Sequence, residues 1–415
     1  MKIRINPHKW ICSFFQYGVA LAFMLNCRSM WLEIDTMRTW FPYFILLILA
    51  ISTVGCIFTS RLFSSKKMVA AFISTLAIFI YLEMFQIIHY SKIIQFQRLV
   101  IAVSCIVFLV IFTKDDTYIL EILLKYRNII VVVSVVSLFF WGCGSLLGLI
   151  SPTGTIRSTW SSTTNLVNVA SYYNIYFEPQ NIRAFGILPI MVRNSACFTE
   201  GPMAALNFSL ALIISLMLDK KNSKWSTIIL VVSIVSTFSV SGYVVMFIAL
   251  GYSIISNTPK QKLIKLMKLF CIPVVIVVFA VIGYAIVLER LQTSSGLTRI
   301  DDFVIGFKAW KNNIIIGNGF ENYNVLQTLM GGRANIGFSN SVMQLLSDGG
   351  VYFFMFILVA MVREIKFCFF KAKFKELCFA LCFIGLYIFL IATYQYVNIF
   401  IFTWFLCKNN KRYID

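Results

Sequence analysis

Residues 225–255 read WSTIILVVSIVSTFSVSGYVVMFIALGYSII, an apolar stretch with a group of polar and small residues at its middle. As one helix, these 31 residues would be about 46 Å long. That length is well beyond a hydrocarbon core of about 30 Å. Ser239, Ser241 and Gly242 lie near the centre of the stretch. We therefore predict two helices, at 225–240 and 241–257, with a turn between them.

A second long apolar stretch, Leu377–Cys407, has the same form, with Tyr394, Gln395 and Asn398 inside it. We predict helices at 377–392 and 395–407. The distribution of charge supports both divisions. With both stretches divided, the segment 258–268 falls on the same side of a membrane as the other basic loops, as the positive-inside rule requires. This segment holds four lysines and no acid.

The composition indicates a membrane protein. Of 415 residues, 59% are hydrophobic and only 13% are charged, whereas soluble domains contain about 25% charged residues. Further apolar runs predict spans at 10–27, 40–60, 68–88, 99–113, 129–150, 202–218, 269–288 and 338–362. The expected fold is an all-α polytopic membrane protein with about 12 transmembrane helices, forming a single integral domain over residues 1–415.

Most of the 36 Lys and Arg residues lie in short segments between these spans. This pattern places both termini in the cytoplasm and predicts a multi-pass protein of the bacterial inner membrane. It also explains the net charge of +19 without a nucleic-acid partner, since no basic stretch has the pattern of a nucleic-acid-binding module. Two long loops, 151–201 and 289–337, are then expected in the periplasm, where they would carry the chemistry.

The sequence lacks the motifs that several classes of enzyme and transporter require. The only histidines are His8 and His89, and the chain has no HExxH, no GxxxxGK[ST] and no GxGxxG after a strand. Zinc hydrolysis, ATP-driven transport and nicotinamide chemistry are therefore not expected, and neither a metal nor another cofactor is predicted. The 11 cysteines form no CxxC pair and are interpreted as small apolar residues.

The two long loops contain arginines and carboxylates. Arginine presents a planar fork of donors that suits phosphate oxygens, and Arg193, Arg290 and Arg299 are candidate phosphate ligands in these loops. Glu200 lies just before Gly201 and Pro202, where the first long loop enters a span. Two interpretations of Glu200 stay open: it stabilises the start of the helix, or it is a carboxylate that handles a sugar hydroxyl.

Four stretches make the sequence similar to the O-antigen polymerase and ligase superfamily of membrane glycosyltransferases. They are Arg193-Asn-Ser-Ala-Cys-Phe-Thr-Glu-Gly-Pro202, Ser236–Tyr243, Arg299–Phe320 with its Ile316-Gly-Asn-Gly-Phe320 turn, and Phe338-Ser-Asn-Ser-Val-Met-Gln-Leu-Leu-Ser-Asp-Gly-Gly350. The resemblance covers roughly residues 130–360, and the order of the four stretches contributes more to it than any single one.

The resemblance implies that the protein polymerises repeat units carried on undecaprenyl diphosphate. A hydroxyl of the acceptor repeat attacks the anomeric carbon of the donor glycan, and undecaprenyl diphosphate leaves. Glu200 and Arg193 would then be catalytic, and Arg290, Arg299, Ser339 and Asn340 would bind substrate. The expected partners are undecaprenyl-diphosphate-linked glycans and membrane lipid, and a chain-length regulator protein is a further candidate.

One position departs from the family pattern. Ligases and many relatives have a histidine before the asparagine of the fourth stretch, whereas this chain has Ser339 before Asn340. The departure argues against an O-antigen ligase and leaves the general base unidentified. Other groups on this side that could accept a proton are Glu321, Asp301, Asp302 and His89. The alternatives to a polymerase are a ligase and a lipid-linked oligosaccharide flippase, which is not an enzyme.

Overall fold

The computed structural model describes residues 7–60, 64–89, 92–159, 166–183, 190–219, 221, 223–256, 294–331 and 338–408. Most of these residues are helical. The α-helices are α1 Pro7–Asn26, α2 Phe41–Thr59, α3 Ser65–Ile88, α4 Ile93–Thr113, α5 Asp116–Phe140, α6 Gly201–Ile213, α7 Lys224–Ser236, α8 Val240–Ser256, α9 Ser294–Asn312, α10 Tyr323–Leu329, α11 Ser341–Phe370, α12 Phe374–Phe389 and α13 Tyr396–Cys407. The span predicted at 269–288 lies outside the described residues, as does Arg290.

Among the described helices, 6 are long and apolar enough to cross a membrane. They are α2, α3, α4, α5 with its continuation to Leu146, α6 with its continuation to Leu218, and α11. The surface of α3 is apolar as well, with Phe72, Ile73, Leu76 and Ile80 exposed. Such a surface is expected for a helix that faces lipid and not water. The helices are those of a membrane-embedded protein.

Both long apolar stretches are broken where the polar residues predict. α7 ends at Ser236 and α8 begins at Val240, while α12 ends at Phe389 and α13 begins at Tyr396. In the second break, Ser341 donates its hydroxyl to the carbonyl of Leu390 at 2.6 Å and accepts from the N–H of Ala392 at 2.7 Å. A break in a membrane helix needs such partners, because lipid offers none to the freed backbone groups.

The first long interval, 151–201, contains strands that the all-α expectation missed. β1 Gly154–Ser158, β2 Val167–Tyr172 and β3 Tyr176–Glu178 form one antiparallel sheet, and β4 Asn181–Arg183 pairs with β5 Ile190–Val192. Side chains join the first sheet to the end of α5, since Ser145 and Tyr172 both donate to Glu178 Oε1, at 2.7 and 3.0 Å. The interval is therefore folded against the helices.

The second interval, 289–337, is helical over much of its described part, because α9 and α10 lie within it. The fifth helix also differs from the span predicted at 129–150, since α5 begins at Asp116. α5 therefore includes Arg127, whose positive charge is neutralised by an ion pair inside the bundle. Its guanidinium lies 2.9 Å from Asp219 and donates to Ser215 at 3.2 Å.

α6 is the central helix, and all of its residues from Met203 to Ile213 are buried. It is fixed at its N-terminal half by Asn207, which accepts from the Tyr126 hydroxyl at 2.6 Å and donates to the carbonyl of Met203 at 2.8 Å. We call the end of the bundle where α6 begins the sheet end, because both sheets lie there. The opposite end, where Lys and Arg collect, is the basic end.

Candidate functional site

The turn after α9 is inserted into the backbone of α11 at the sheet end. In an unbroken helix the N–H groups of Val351 and Tyr352 would bond to the carbonyls of Ser347 and Asp348. Instead they bond to the carbonyls of Ile314 and Ile315, at 3.0 and 2.9 Å. The two helix carbonyls accept from the N–H groups of Asn318 and Gly319, at 2.8 and 2.9 Å. The turn thus replaces the bonds that α11 loses at a kink.

Two glycines allow this crossing of the turn and the helix. Gly350 has a φ of 56°, and a Cβ added there would lie 2.6 Å from the nitrogen of Gly317. Gly317 has a φ of 64°, and its Cβ would lie 2.5 Å from the carbonyl oxygen of Asp348. Both positions combine a left-handed backbone with contact to main chain, which only glycine accommodates. The crossing brings together the third and fourth stretches that carry the family resemblance.

Glu321 follows this turn and is half-buried, with a φ of 47°. Its main-chain N–H donates to the carboxylate of Asp348. Asp348 also accepts from the Tyr394 hydroxyl at 2.8 Å. The Phe320 ring packs on Tyr394 with 4.9 Å between centroids. Glu321 is therefore held by its own backbone and its neighbours, while its carboxylate accepts no hydrogen bond from the described residues.

The charges of three cations from other parts of the chain act on Glu321. Burial raises the pKa of its carboxyl above the usual value, and the charges of Lys92, Arg28 and Arg98 oppose that rise. Lys92 precedes α4, Arg98 lies in its second turn and Arg28 follows α1. Within the described residues Glu321 forms no direct ion pair, so these charges act on its carboxylate over longer distances.

Three of these charged residues have unfavourable backbone conformations. Arg28, Lys92 and Glu321 have φ values of 50°, 49° and 47°. For residues with side chains, the left-handed region costs of order 1–3 kcal/mol and is found most often at functional sites. Here it occurs at three charged residues that are distant in sequence, and two of them, Arg28 and Lys92, act electrostatically on the third, Glu321. We take this cluster as the candidate site.

Glu200 belongs to the same cluster through Arg28. The two side chains form an ion pair at 3.7 Å, with 39% of the Arg28 side chain and 20% of the Glu200 side chain exposed. Glu200 occupies the residue before α6, yet its side chain makes no capping hydrogen bond. Glu200 therefore does not cap α6 through a hydrogen bond, while its negative charge still lies where it complements the helix dipole. Arg28 connects Glu200 with Glu321.

The structure uses Arg193 as a support for the turn between α7 and α8. Its Nε donates to the carbonyl of Thr237 at 2.9 Å and its Nη2 donates to that of Phe238 at 3.2 Å. Only 8% of the residue is exposed. Gly201 lies against the guanidinium, where an added Cβ would be 2.7 Å from Nε. The sequence places Arg193 among phosphate ligands, but these contacts are those of a residue that stabilises the break.

The remaining predicted site residues lie near the start of α11 and on α9. Asn340 accepts from the N–H of Met343 at 2.8 Å and so caps α11. Its amide nitrogen is buried and has no hydrogen-bond partner in the described part of the chain. Ser339, beside it, is half-buried. Arg299 is exposed, and its Nη1 lies 3.5 Å from the carbonyl of Phe389.

Sequence reasoning missed Arg28, Lys92, Asp348 and Tyr394 as members of the cluster. Arg28 had a detectable signal, since it is a basic residue in the predicted outer connection between the first two spans, which the rule for loop charges disfavours. Asp348 had one too, because it is an acid inside the predicted span 338–362. Tyr394 had none, because only the crossing and the break after α12 bring it to Asp348.

A second charged cluster lies at the basic end. Ligand atoms of Glu364, Cys368 and Glu376 lie within 4.8 Å of one another, a spacing that a metal ion could use. Lys408 occupies this position, with its Nζ 2.6 Å from Glu364 and 2.5 Å from Glu376. The two carboxylates are thus balanced by two ammonium groups, since Lys373 also pairs with Glu376 at 3.1 Å. The cluster fixes the end of α13 to α11 and α12.

Comparison of the sequence with models of protein families and with curated proteins gave no match. The resemblance to the O-antigen polymerase superfamily therefore rests on the sequence stretches quoted above, two of which meet at the crossing of the turn and α11.

Proposed function

We propose that the protein polymerises sugar repeat units carried on undecaprenyl diphosphate, by glycosyl transfer at the sheet end. One observation carries the proposal: a half-buried carboxylate, Glu321, lies within electrostatic range of Arg28, Lys92 and Arg98 at the end of the bundle remote from the basic loops. Transfer from a lipid diphosphate requires cations that stabilise the charge developing on the leaving group. It also requires an acid–base group beside the attacking hydroxyl.

In this proposal Arg28, Arg98 and Lys92 bind the diphosphate. Arg290 and Arg299 are further candidates for the same phosphates. Asn340 contributes to a sugar its amide nitrogen, which has no hydrogen-bond partner among the described residues. Arg193 does not contact substrate in this proposal, and it stabilises the turn between α7 and α8. The reaction draws its energy from the sugar–diphosphate bond, so it requires no nucleotide and no redox cofactor.

The sheet end must then face the periplasm. This orientation follows from the positive-inside rule if the basic end lies in the cytoplasm together with both termini. It corresponds to about 12 crossings of the inner membrane. Cysteine labelling of intact cells tests the orientation, and labelling of a cysteine introduced at Lys221 from the outside would contradict it, because Lys221 lies between α6 and α7 at the basic end.

Deletion of the gene tests the function. A polymerase deletion should leave single repeats on the surface lipid and abolish the ladder of chain lengths. Two other outcomes would point to the alternatives. Loss of all attached repeats, with polymer accumulating on undecaprenyl diphosphate, would indicate a ligase. Repeats that accumulate on the cytoplasmic leaflet would indicate a flippase. Complementation with the wild-type chain is the control.

A further inference from the structure

Two carboxylates of the sheet end, Glu200 and Glu321, differ in what they already bind. Glu200 forms an ion pair with Arg28 at 3.7 Å. Glu321 accepts no hydrogen bond and forms no direct ion pair within the described residues. A general base must have a lone pair that is available to the proton it removes. Both carboxylates keep lone pairs, because a single ion pair at 3.7 Å leaves those of Glu200 available. Glu321 differs in that no described cation is paired with it.

Glu321 is also the better positioned of the two. Its backbone donates to Asp348, which is itself held by the Tyr394 hydroxyl at 2.8 Å. The preceding residues are locked into α11 by four backbone hydrogen bonds, those of Asn318, Gly319, Val351 and Tyr352. A catalytic group must be held close to its productive geometry, and a left-handed residue at the end of so fixed a turn has little freedom.

We propose that Glu321 is the base that deprotonates the acceptor hydroxyl, and that Asp348 and Tyr394 are positioning residues that hold it in place. The inference rests on the proposed function and identifies the group that the missing histidine at position 339 leaves unassigned. Glu200 then keeps Arg28 oriented toward the diphosphate.

The reaction balances without a co-reactant. The acceptor O–H bond breaks, and its proton goes to the carboxylate of Glu321. The hydroxyl oxygen forms a bond to the anomeric carbon of the donor sugar. The bond between that carbon and the phosphate oxygen breaks, and its electron pair leaves with undecaprenyl diphosphate between the cations. Glu321 then releases the proton to water.

The environment of Glu321 sets the pH dependence. Burial raises the pKa of its carboxyl, and the net of the surrounding charges does not cancel that rise. The base is active only when ionised, so the transfer rate should fall as the pH drops through a value above the usual ~4.3 for glutamate. The charged and titratable groups that interact electrostatically with Glu321 are Lys92, Arg28, Arg98, Glu33, Asp348 and Tyr394. His89 lies nearby, where its ring is hydrogen-bonded to the carbonyl of Ile316.

The test replaces Glu321 with Gln, which keeps the shape of the side chain and removes its basicity. Transfer is measured in membrane vesicles with lipid-linked repeats extracted from the deletion strain. The rate should fall about 10²- to 10⁴-fold, the range that general-base catalysis contributes. Binding of undecaprenyl diphosphate to the purified variant should persist or become tighter, because a negative charge is removed from beside three cations. Asp35→Asn, at a surface carboxylate of the same end, should transfer at the normal rate.

A normal transfer rate in Glu321→Gln overturns the inference and leaves the proposed function standing, since the deletion strain still lacks the ladder. Failure of the wild-type protein to bind undecaprenyl diphosphate, with a normal ladder in the deletion strain, instead removes the proposed function. If Glu321→Gln does not accumulate, Glu321→Asp decides. The Asp variant keeps a carboxylate in altered surroundings. A shift in the pH at which the transfer rate falls on the acid side supports the inference, and an unchanged pH overturns it.

Discussion

Replacing Arg28 with Ala separates a contribution to function from one to stability. The Arg28 side chain is 39% exposed in its ion pair with Glu200. A pair this open to solvent contributes about 0.2–1 kcal/mol to stability. The variant should therefore fold and accumulate normally. A charge-assisted hydrogen bond to phosphate contributes about 1.5–3 kcal/mol, and its loss should slow transfer roughly 10- to 150-fold.

Arg38 is a matched control on the same connection between α1 and α2. It pairs with Asp35 at 3.5 Å, and 49% of its side chain is exposed, so Arg38→Ala removes a similar surface pair without touching the cluster. Its transfer rate should remain normal. Arg28→Lys keeps the charge but loses the planar fork of donors, so it should recover only part of the activity if Arg28 binds phosphate with two nitrogens.

The assay uses tagged variants in the deletion strain, with protein amounts from immunoblots and the ladder from gels of surface polysaccharide. The rate at which labelled single repeats are consumed in vesicles gives the fold-change. The reasoning about Arg28 is wrong if its Ala variant gives a normal ladder. It is equally wrong if the Arg28 and Arg38 variants lose activity to the same extent.

Three further outcomes are expected. Gly350→Ala should lower the melting temperature much more than Gly331→Ala. Both residues have positive φ, which costs about 1–2 kcal/mol for a residue with a side chain. A Cβ at Gly331, however, would meet no described atom within 4 Å. Equal decreases in the melting temperature of the two variants would show that the crossing with α11 is not rigid. Arg193→Ala should destabilise the protein by about 1.5–3 kcal/mol. The buried cysteines should then react with a thiol dye at a lower temperature on heating. An unchanged melting temperature would instead favour Arg193 as a phosphate ligand. Glu200→Gln should slow transfer about tenfold at normal protein levels, as expected for losing about 1.4 kcal/mol of orientation, and a normal rate would remove Glu200 from the site.

The helical breaks could be predicted because their cause is local. A 31-residue apolar stretch cannot cross a membrane as one helix at a modest tilt. Ser239 lies where its backbone is interrupted, and Ser241 follows in the first turn of α8. The strands in 151–201 could not be predicted, because short strands in a polar segment show no clear alternation of hydrophobic and polar residues. Their place is set by contacts such as those of Glu178 with Ser145 and Tyr172.

The site could be predicted only in part. The sequence singles out two stretches that contact each other in the structure, 299–320 and 338–350, but not the residues that meet, because the crossing of Gly317 and Gly350 joins segments about 30 residues apart. Arg28 enters from the start of the chain, and no pattern connects it with Glu321. Arg193 was expected at the phosphates because its residue type suits them. Its burial beside the turn after α7 depends on a tertiary contact that composition does not encode.

The shared backbone conformation of Arg28, Lys92 and Glu321 has a consequence for evolution. At each of these positions glycine would adopt the observed φ without the penalty that a side chain incurs. Selection for heat resistance and selection for sugar transfer should therefore act in opposite directions there. In a random library screened only for thermal survival, glycine should be enriched at these three positions, and the surviving clones should display single repeats in place of long chains.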